Sequence, residues 1–208
     1  MNPQEVFTRI YTERAWGDGE SASGAGSSLM ETRVVRDLLP GLLASLGCRS
    51  LLDLPCGDFN WMRHVALDGI HYTGADIVEP LIARNRELYG GAHRSFEVMN
   101  LLTGPLPRAD VVLCRDCLGH LSREDCRRAL ASIKASGSTY LLSTTYPVVS
   151  RARALNTSIK TGQWYAINLE AAPFRLPAPV QLFNEGCGVA DFEDKSLGLW
   201  RIDTIPDY

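Results

Sequence analysis

The sequence lacks any apolar run of the ~18–20 residues that a membrane-spanning helix needs. Residues 1–5 contain no basic stretch that leads into an apolar core, so we do not expect a secretory signal. An excess of positive charge is also absent: the sequence has 21 Lys and Arg against 24 Asp and Glu, and its net charge is −3. The short basic clusters at 127–128 and 151–153 are interpreted as solvated surface. We therefore expect a cytoplasmic protein with no membrane or nucleic-acid partner.

Clear metal-binding patterns are missing as well. The six cysteines include one CxxC pair, Cys114 and Cys117, followed by Cys126. However, Cys114 ends an apolar run, no second CxxC follows, and His120 is the only nearby imidazole. Cytoplasmic cysteines would be reduced, so we interpret them as buried structural thiols and expect no metal. A zinc site is the alternative interpretation.

The sequence does contain one informative stretch, residues 51–61. A short apolar run ends at Asp53, and a turn with Pro55 and Gly57 follows. This pattern is typical of a buried parallel strand that delivers the chain to a ligand at its carboxyl end. A second acid, Asp76, closes the run 71–77 and lies 23 residues after Asp53. The spacing is close to the ~20 residues between the glycine loop and the ribose-binding acid of dinucleotide folds.

Helix-like and strand-like segments alternate as far as residue 145, which predicts a parallel sheet with right-handed crossovers. Helices are predicted around residues 6–11, 29–46, 60–67, 79–89 and 122–135. Strands are predicted at the run ending with Asp53 and at residues 71–77, 94–99, 109–114 and 139–145. Two late runs, 180–183 and 197–202, are predicted to pair as a hairpin, and residues 147–178 hold no long helix. Pro40 should break or kink the second helix.

Four segments together resemble class I S-adenosylmethionine-dependent methyltransferases, over about residues 48–145. Residues 51–58 are similar to the family's first motif, and residues 75–77 to the acid that ends its second strand. Residues 99–101 correspond in position to the residues that flank the adenine in that family, and residues 110–121 resemble its fourth-strand motif. The whole pattern, with residues 16–28 and 194–200, resembles a bacterial branch of these enzymes that acts on small molecules.

The resemblance implies one domain, 1–208, with a Rossmann-like, doubly wound α/β fold. Its mostly parallel seven-stranded sheet would carry helices on both faces and a terminal antiparallel hairpin. Residues 1–30 would form an N-terminal helix and a Gly/Ser-rich lid, residues 48–145 the cofactor-binding core, and residues 146–208 the substrate-side loops and terminal strands. For residues 16–28, a plain linker is the alternative to a lid.

The resemblance also implies S-adenosylmethionine as cofactor and a small molecule as methyl acceptor. Gly57 would let the backbone approach the amino acid part, and Asp76 would accept hydrogen bonds from both ribose hydroxyls. Ile77 and Leu101 would flank the adenine, and Asn100 would bind its edge. The implied cofactor-binding residues are Trp16, Asp53, Pro55, Cys56, Gly57, Asp58, Asn60, Asp76, Ile77, Asn100, Leu101 and Arg115.

Catalytic and acceptor-binding residues would follow the fourth and fifth strands. Asp116 and His120 are the candidates for catalysis, with His120 as general base because an imidazole titrates near neutrality. A histidine that only orders its turn is the alternative. Tyr146, Trp164 and Asn168 are the candidates for acceptor binding, with packing as the alternative. The later residues Lys195 and Trp200 are expected to be structural.

Two departures from the family pattern affect the loop after the first strand. Pro55 stands at the first of the usual glycines and Phe59 at about the third, so Gly57 alone remains. Phe59 is expected to close over the ligand. A nicotinamide-dependent oxidoreductase is disfavoured because G-x-G-x-x-G and Tyr-x-x-x-Lys are both absent. A non-catalytic module that binds the cofactor stays open. The acceptor, the atom methylated and the oligomeric state are not specified.

Overall fold

The computed structural model describes residues 2–17, 19–148 and 156–208. The predicted basic cluster at 151–153 lies outside these residues. The chain divides into two compact units, Met1–Asn100 and Leu101–Tyr208. Among the described residues, no helix is long and apolar enough to span a membrane.

The described residues of the first unit form three α-helices and three parallel strands. The helices are α1 (Pro3–Thr12), α2 (Arg33–Ser45) and α3 (Glu79–Tyr89), and the strands are β1 (Ser50–Asp53), β2 (His71–Asp76) and β3 (Arg94–Val98). Strand β2 pairs in parallel with both β1 and β3. Helix α3 spans the predicted residues 79–89, with a proline in its first turn and Gly90 after its end.

Pro40 was predicted to break or kink helix α2, and the predicted break is wrong. The helix runs through Pro40 and buries Val35, Leu39, Leu42 and Leu43. A proline removes one helical N–H and crowds the preceding turn. Because buried apolar residues lie on both sides of Pro40, packing holds the helical conformation across it.

The predicted helix at 60–67 is also wrong. The structure has only a short 3-10 turn there, Met62–His64. Phe59 lies at φ +60°, in the left-handed region that an α-helix does not continue through. The apolar residues Trp61, Met62 and Val65 are buried in this irregular turn, so their helix-like spacing reflects burial without a helix.

In the part of the second unit that the structure describes, the elements are helix α4 (Arg123–Ala135) and four strands: β4 (Val111–Cys114), β5 (Tyr140–Thr145), β6 (Gln181–Asn184) and β7 (Ser196–Arg201). Strands β4 and β5 are parallel, and β7 pairs antiparallel with β5 and β6. The predicted terminal hairpin is confirmed. The described residues between β5 and β6 contain no helix, as predicted.

The strand order is β3-β2-β1-β4-β5-β7-β6. The expected Rossmann-like, mostly parallel seven-stranded sheet with a terminal antiparallel hairpin is therefore confirmed. In such sheets the ligand lies beyond the carboxyl ends of the parallel strands. The loops that follow β1 and β2 in the first unit, and β4 and β5 in the second, are the places to look for chemistry.

Candidate active site

The loop after β1, residues 54–60, is fixed by the strand and helix that follow it. The Cys56 N–H donates to the carbonyl of Ala75 on β2 at 2.8 Å. The Gly57 carbonyl accepts from the side-chain amide of Asn85 at 2.7 Å, and Asn85 is buried in α3. The Gly57 N–H donates to Asp76 Oδ2 at 3.3 Å. The turn that was expected to face the cofactor is thus held on both sides of Gly57.

Asp76 ends β2 as a buried carboxylate. Its Oδ1 accepts from the Val78 N–H at 3.0 Å, so each oxygen accepts at least one backbone hydrogen bond. Burial raises the pKa of Asp76 to about 6, although the N–H groups of Val78, Gly57 and Ile77 oppose the shift. An ionised carboxylate has about four acceptor positions. The backbone N–H groups do not use all of these positions, so Asp76 can also accept from a ligand hydroxyl.

Asp53 lies one strand away and is also buried. Its Oδ2 accepts the Tyr72 hydroxyl at 2.7 Å. Burial, followed by the charge of Asp53, raises the pKa of Tyr72, which stays protonated and keeps donating. Burial and the charges of Asp76 and Asp53 likewise raise the pKa of the Cys56 thiol. The Cys56 thiol is therefore protonated and uncharged, and it does not act as a nucleophile.

Residues 20–28, which we call the strap, pack directly on this loop. The Asp58 carboxylate accepts from the Ser21 hydroxyl at 3.0 Å and from the Ala22 N–H at 2.6 Å. The Asp58 N–H donates to Ser23 Oγ at 2.9 Å. Asn60 donates to Glu20 Oε1 at 2.8 Å and to the Ser27 carbonyl at 3.1 Å. Asp58 and Asn60, predicted to bind the cofactor, hold the strap in this structure.

Gly57 is needed because of the strap as well as the turn. It lies at φ +53°, and a Cβ at this position would overlap Ser23 Oγ. Any other residue would combine left-handed backbone strain with a steric overlap. The absence of a side chain at Gly57 therefore accommodates Ser23.

Four further residues predicted to bind the cofactor differ in their surroundings and burial. Trp16 packs edge-on against Phe7 of α1, with ring centroids 5.9 Å apart. Ile77 and Asn100 are half-buried. In the second unit, Leu101 is buried. Their roles toward a cofactor stay predictions.

The expectation that Phe59 closes over a ligand is wrong. Its side chain is 1% exposed. Its ring packs among Tyr72, Tyr89 and Phe96 at centroid distances of 5.1–5.2 Å, with the Arg94 guanidinium over it. Phe59 is therefore a core residue of the first unit, and it replaces a loop glycine by filling space beneath the loop.

In the second unit, four charged side chains form what we call the charge cluster: Arg115, Asp116, Glu185 and Lys195. Arg115 donates to Glu185 Oε2 at 2.6 Å and lies 3.1 Å from Asp116 Oδ2. Lys195 donates to the same Asp116 oxygen at 2.6 Å and lies 3.6 Å from Glu185 Oε2. Two positive and two negative charges therefore balance inside the protein.

The cluster keeps Asp116 ionised. Burial alone would raise the pKa of Asp116, but Arg115 and Lys195 outweigh it and lower the pKa to about 2. Burial opposes the charge of Arg115 too, yet Asp116 and Glu185 raise its pKa. A carboxylate with such a low pKa is a poor proton acceptor. Asp116 can bind and orient, but it is not suited to be the base.

His120 lies in the 3-10 turn Leu118–His120, so it does not share an α-helical face with Asp116. Its Nδ1 is 3.0 Å from the Gln163 carbonyl. A carbonyl only accepts, so Nδ1 carries the proton and Nε2 is the basic nitrogen of the neutral ring. Burial lowers the pKa of His120, although Asp116 opposes this shift. His120 is therefore neutral at pH 7 and has the protonation state of a general base.

Three aromatic rings make up an aromatic wall in the second unit. Tyr146 and Trp164, both predicted for acceptor binding, have centroids 6.1 Å apart. Phe192, which the sequence did not indicate, lies 6.0 Å from Tyr146 and 5.1 Å from Trp164. The rings meet edge to face, and Trp164 is 44% exposed. The wall therefore has an accessible indole surface on which a planar group could pack.

Asn168, the third residue predicted for acceptor binding, uses its side chain within the loops. Its Oδ1 accepts from the N–H groups of Glu170 and Ala171 at 3.0 and 3.1 Å. Its N–H donates to Asn156 Oδ1 at 2.9 Å, and Asn156 donates to three backbone carbonyls. These bonds replace helical hydrogen bonds between β5 and β6. A role for Asn168 toward the acceptor stays a prediction.

The described residues contain no group of three or more His, Cys, Asp or Glu side chains that could hold a metal ion. Cys114 and Cys126 are buried, and Cys117 is half-buried. Burial raises the pKa of Cys126 to about 12, and its thiol contacts the carbonyls of Leu118 and Leu121. The thiol of Cys126 is therefore a structural, protonated group.

Comparisons with known proteins agree with this fold. Residues 51–136 match a protein family described as methyltransferase domain. The 1,6-didemethyltoxoflavin-N1-methyltransferase of Burkholderia thailandensis, solved with its namesake compound and S-adenosylhomocysteine, is similar in structure. It is 19% identical, with 97% of this chain and 90% of that chain covered and a TM-score of 0.64. A search of curated protein sequences gave no match.

Two further methyltransferase structures are similar. Human N-acetylserotonin methyltransferase, solved in complex with S-adenosylmethionine, is 15% identical, with 97% of this chain covered and a TM-score of 0.61; the chain spans 60% of its length. The mitomycin 7-O-methyltransferase is 16% identical, with 97% of this chain and 73% of that chain covered and a TM-score of 0.55. The resemblance to class I methyltransferases is thus confirmed in the fold and, over residues 51–136, in the sequence.

Proposed function

We propose that this protein is an S-adenosylmethionine-dependent methyltransferase that acts on a small molecule. The observation that carries the proposal is the buried Asp76 carboxylate at the end of β2, bonded to Gly57 of the preceding loop. It lies within the segment that matches the methyltransferase domain. The cytoplasmic location and the bacterial origin stay predictions from the sequence.

The residues of the first unit fit the cofactor. Asp76 retains acceptor capacity for the ribose hydroxyls, and the half-buried Ile77 next to it offers an apolar surface for the adenine. When bound, S-adenosylmethionine supplies a methyl group that its sulfonium has already activated. The protein therefore needs to position the reactants and exclude water, without a covalent bond to the protein.

In the second unit we assign the base to His120. With Nδ1 donating to Gln163, the imidazole is held by its backbone contact and presents Nε2 as the proton acceptor. The aromatic wall would bind the apolar part of the acceptor. A turnover that loses its lower pH limb in His120→Ala would support this role, and an unchanged pH–rate profile would assign His120 to ordering the turn.

A second candidate function is non-catalytic cofactor binding. One observation favours it: the strap places Ser23 against Gly57, the residue expected to approach the cofactor. A strap fixed in this position would limit access of the cofactor to the loop backbone. Turnover with any acceptor would exclude a purely binding role.

Calorimetric titration with S-adenosylmethionine, S-adenosylhomocysteine and NADH tests the proposal. We expect both adenosyl ligands to bind and NADH not to bind. Asp76→Ala should weaken adenosyl binding by at least about tenfold, because two hydrogen bonds to a charged group are lost. Asp37→Ala, at an exposed acid on α2, is the matched control. Wild-type affinity in Asp76→Ala, or binding of NADH alone, would overturn the proposal.

A further inference from the structure

Glu185 is buried with one carboxylate oxygen unused among the described residues. Its side chain is 2% exposed. Oε2 accepts from Arg115 and lies near Lys195, whereas Oε1 has no hydrogen-bond partner within the described ranges 2–17, 19–148 and 156–208. Burying a charged oxygen without a hydrogen bond is costly, so such an atom indicates a place where a ligand donates.

The strand register brings this oxygen to the edge of the sheet where a ligand is expected. Asn184 pairs with Ser196, and Thr145 pairs with Ser196 from the other side. Glu185, Lys195 and Tyr146 therefore lie side by side, one residue beyond these pairs. The Glu185 N–H donates to the Lys195 carbonyl at 2.8 Å. Arg115 directly follows β4, so the cluster lies at the carboxyl ends of β4 and β5.

The aromatic wall adjoins the same edge. The Lys195 N–H donates to the Phe192 carbonyl at 3.0 Å, so Phe192 and the cluster belong to one tight turn. Tyr146 packs against Phe192 and directly follows β5. A ligand that reaches Glu185 from this edge would thus lie next to aromatic rings.

The charges decide which donor fits. Arg115 and Lys195 already balance Asp116 and Glu185, so an added ammonium would leave a net buried charge. A neutral hydroxyl adds no charge, and it can donate to one group while it accepts from another. Glu185 Oε1 offers the acceptor, and the Lys195 ammonium, 3.6 Å from the other oxygen of the same carboxylate, offers the donor. The arrangement therefore favours a hydroxyl over an amine.

We propose that Glu185 and Lys195 recognise a hydroxyl group of the methyl acceptor. The aromatic part of the acceptor lies against Tyr146, Trp164 and Phe192, so the acceptor class is a phenol-like aromatic alcohol. The inference rests on the proposed function in one respect: the bound compound is the methyl acceptor only if the protein transfers a methyl group. Glu185 and Lys195 act here as specificity-determining residues.

The test is a ¹⁹F NMR titration of the full chain with 4-fluorophenol and, in parallel, 4-fluoroanisole. The two probes share a ring, but only the phenol donates a hydrogen bond. We expect the phenol to bind and the methyl ether to bind at least about tenfold more weakly, as expected for a lost bond to a charged acceptor. Equal affinities, or no phenol binding, would overturn the proposal. The comparison uses the wild-type protein and does not depend on any variant.

A variant then assigns the site. Glu185→Gln should reduce phenol affinity by about tenfold, whereas Glu193→Gln, at an exposed acid in the same turn, should leave it unchanged. Phenol affinity preserved in a folded Glu185→Gln protein would overturn the assignment. The NMR titration contains no adenosyl ligand, so its result does not depend on cofactor binding. If the phenol binds in this titration but S-adenosylmethionine does not bind in the calorimetric one, the proposed function is refuted and the hydroxyl site is retained. A 4-fluorobenzylammonium probe that binds more tightly than the phenol would overturn the preference for a hydroxyl.

Discussion

In the loop after β1, polar side chains bind backbone groups, whereas in the charge cluster they bind one another. Asp76, Asn85 and Asp58 each satisfy N–H or C=O groups of an irregular chain. Arg115, Asp116, Glu185 and Lys195 satisfy each other's charges. The first arrangement shapes a backbone that can approach a ligand. The second places buried charges that can recognise one.

The difference predicts unequal sensitivity to substitution. A side chain that bonds to backbone can be replaced in part by water or by a small shift of the loop. A buried charge that loses its partner cannot be compensated in this way, because water does not reach it and its desolvation cost remains. Removal of one member of the charge cluster should therefore cost more than removal of one bond from the loop.

The largest effect is expected for Arg115→Leu. It leaves Glu185, which is 2% exposed, without its main counter-charge. The free energy of unfolding should fall by about 3–5 kcal/mol, measured by urea denaturation. Arg201→Leu is the control, since Arg201 pairs with Asp203 at the surface and its loss should not be measurable. A loss below about 1 kcal/mol for Arg115→Leu would show that the cluster is solvated, contrary to its burial.

The next effect concerns Asp76 and pH. Its pKa is raised from 3.8 to about 6 in the folded protein, so the folded state binds this proton more tightly than the unfolded state. The free energy of unfolding should therefore fall as pH rises from about 4 to about 6, by about 3 kcal/mol from this group. Asp76→Asn does not titrate, so its stability relative to wild type should increase by that amount between pH 4 and pH 7.

Urea denaturation at several pH values checks the Asp76 prediction. The exposed acid Asp37 supplies the control, because Asp37→Asn should stay parallel to wild type across the range. Parallel curves for Asp76→Asn and wild type would mean that Asp76 titrates normally. The loop would then lack its distinguishing feature, a carboxylate whose pKa is raised by burial and that backbone N–H groups stabilise.

A smaller effect is expected for Asp58→Ala, which removes side-chain bonds to the strap. The Ser21 hydroxyl and the Ala22 N–H lose their acceptor. We expect a loss of about 1–3 kcal/mol and faster limited proteolysis within residues 19–28. Asp37→Ala should change neither quantity. Unchanged proteolysis in Asp58→Ala would show that apolar packing, not Asp58, holds the strap.

The same comparison explains what the sequence could predict. Asp53 and Gly57 lie in one short stretch, and Asp76 ends the next strand. Parallel strands bring such positions together whatever the side chains do, so the loop could be predicted from order alone. Phe59 misled because a buried and a ligand-covering aromatic look alike in a sequence. Its left-handed backbone also removed the predicted helix at 60–67.

The charge cluster could not be predicted in the same way. Arg115 meets Glu185 across 70 residues, and Lys195 meets Asp116 across 79. Those pairings depend on the hairpin of β6 and β7 and on its register with β5. A shift of one residue would turn Glu185 to the other face. Lys195 was accordingly expected to be structural, and Glu185 and Phe192 were not singled out.

The smallest effect tests a mixed case, in which one hydroxyl bridges backbone and carboxylate. Ser122 caps α4 by accepting from the Asp125 N–H at 3.1 Å. In a capping box the side chain of Asp125 would in turn accept from the Ser122 N–H. Here Thr161 lies between them, and its Oγ1 accepts from the Ser122 N–H at 3.0 Å and donates to Asp125 Oδ2 at 2.6 Å. Thr161→Val keeps the shape and removes both bonds. We expect a loss of about 1 kcal/mol in urea denaturation.

Thr103→Val, at an exposed threonine of the same unit, is the control for the change of side chain. If water replaces the Thr161 hydroxyl, as it can at a half-buried loop contact, the loss stays near 1 kcal/mol, in the range of an ordinary helix cap. A loss of about 3 kcal/mol or more would place this bridge with the charge cluster, because Asp125 would then behave as a desolvated charge. That result would contradict the expected small loss and would place Thr161 among the side chains that bind one another, since its bond to the Asp125 carboxylate, and not its bond to the Ser122 backbone, would then determine the cost.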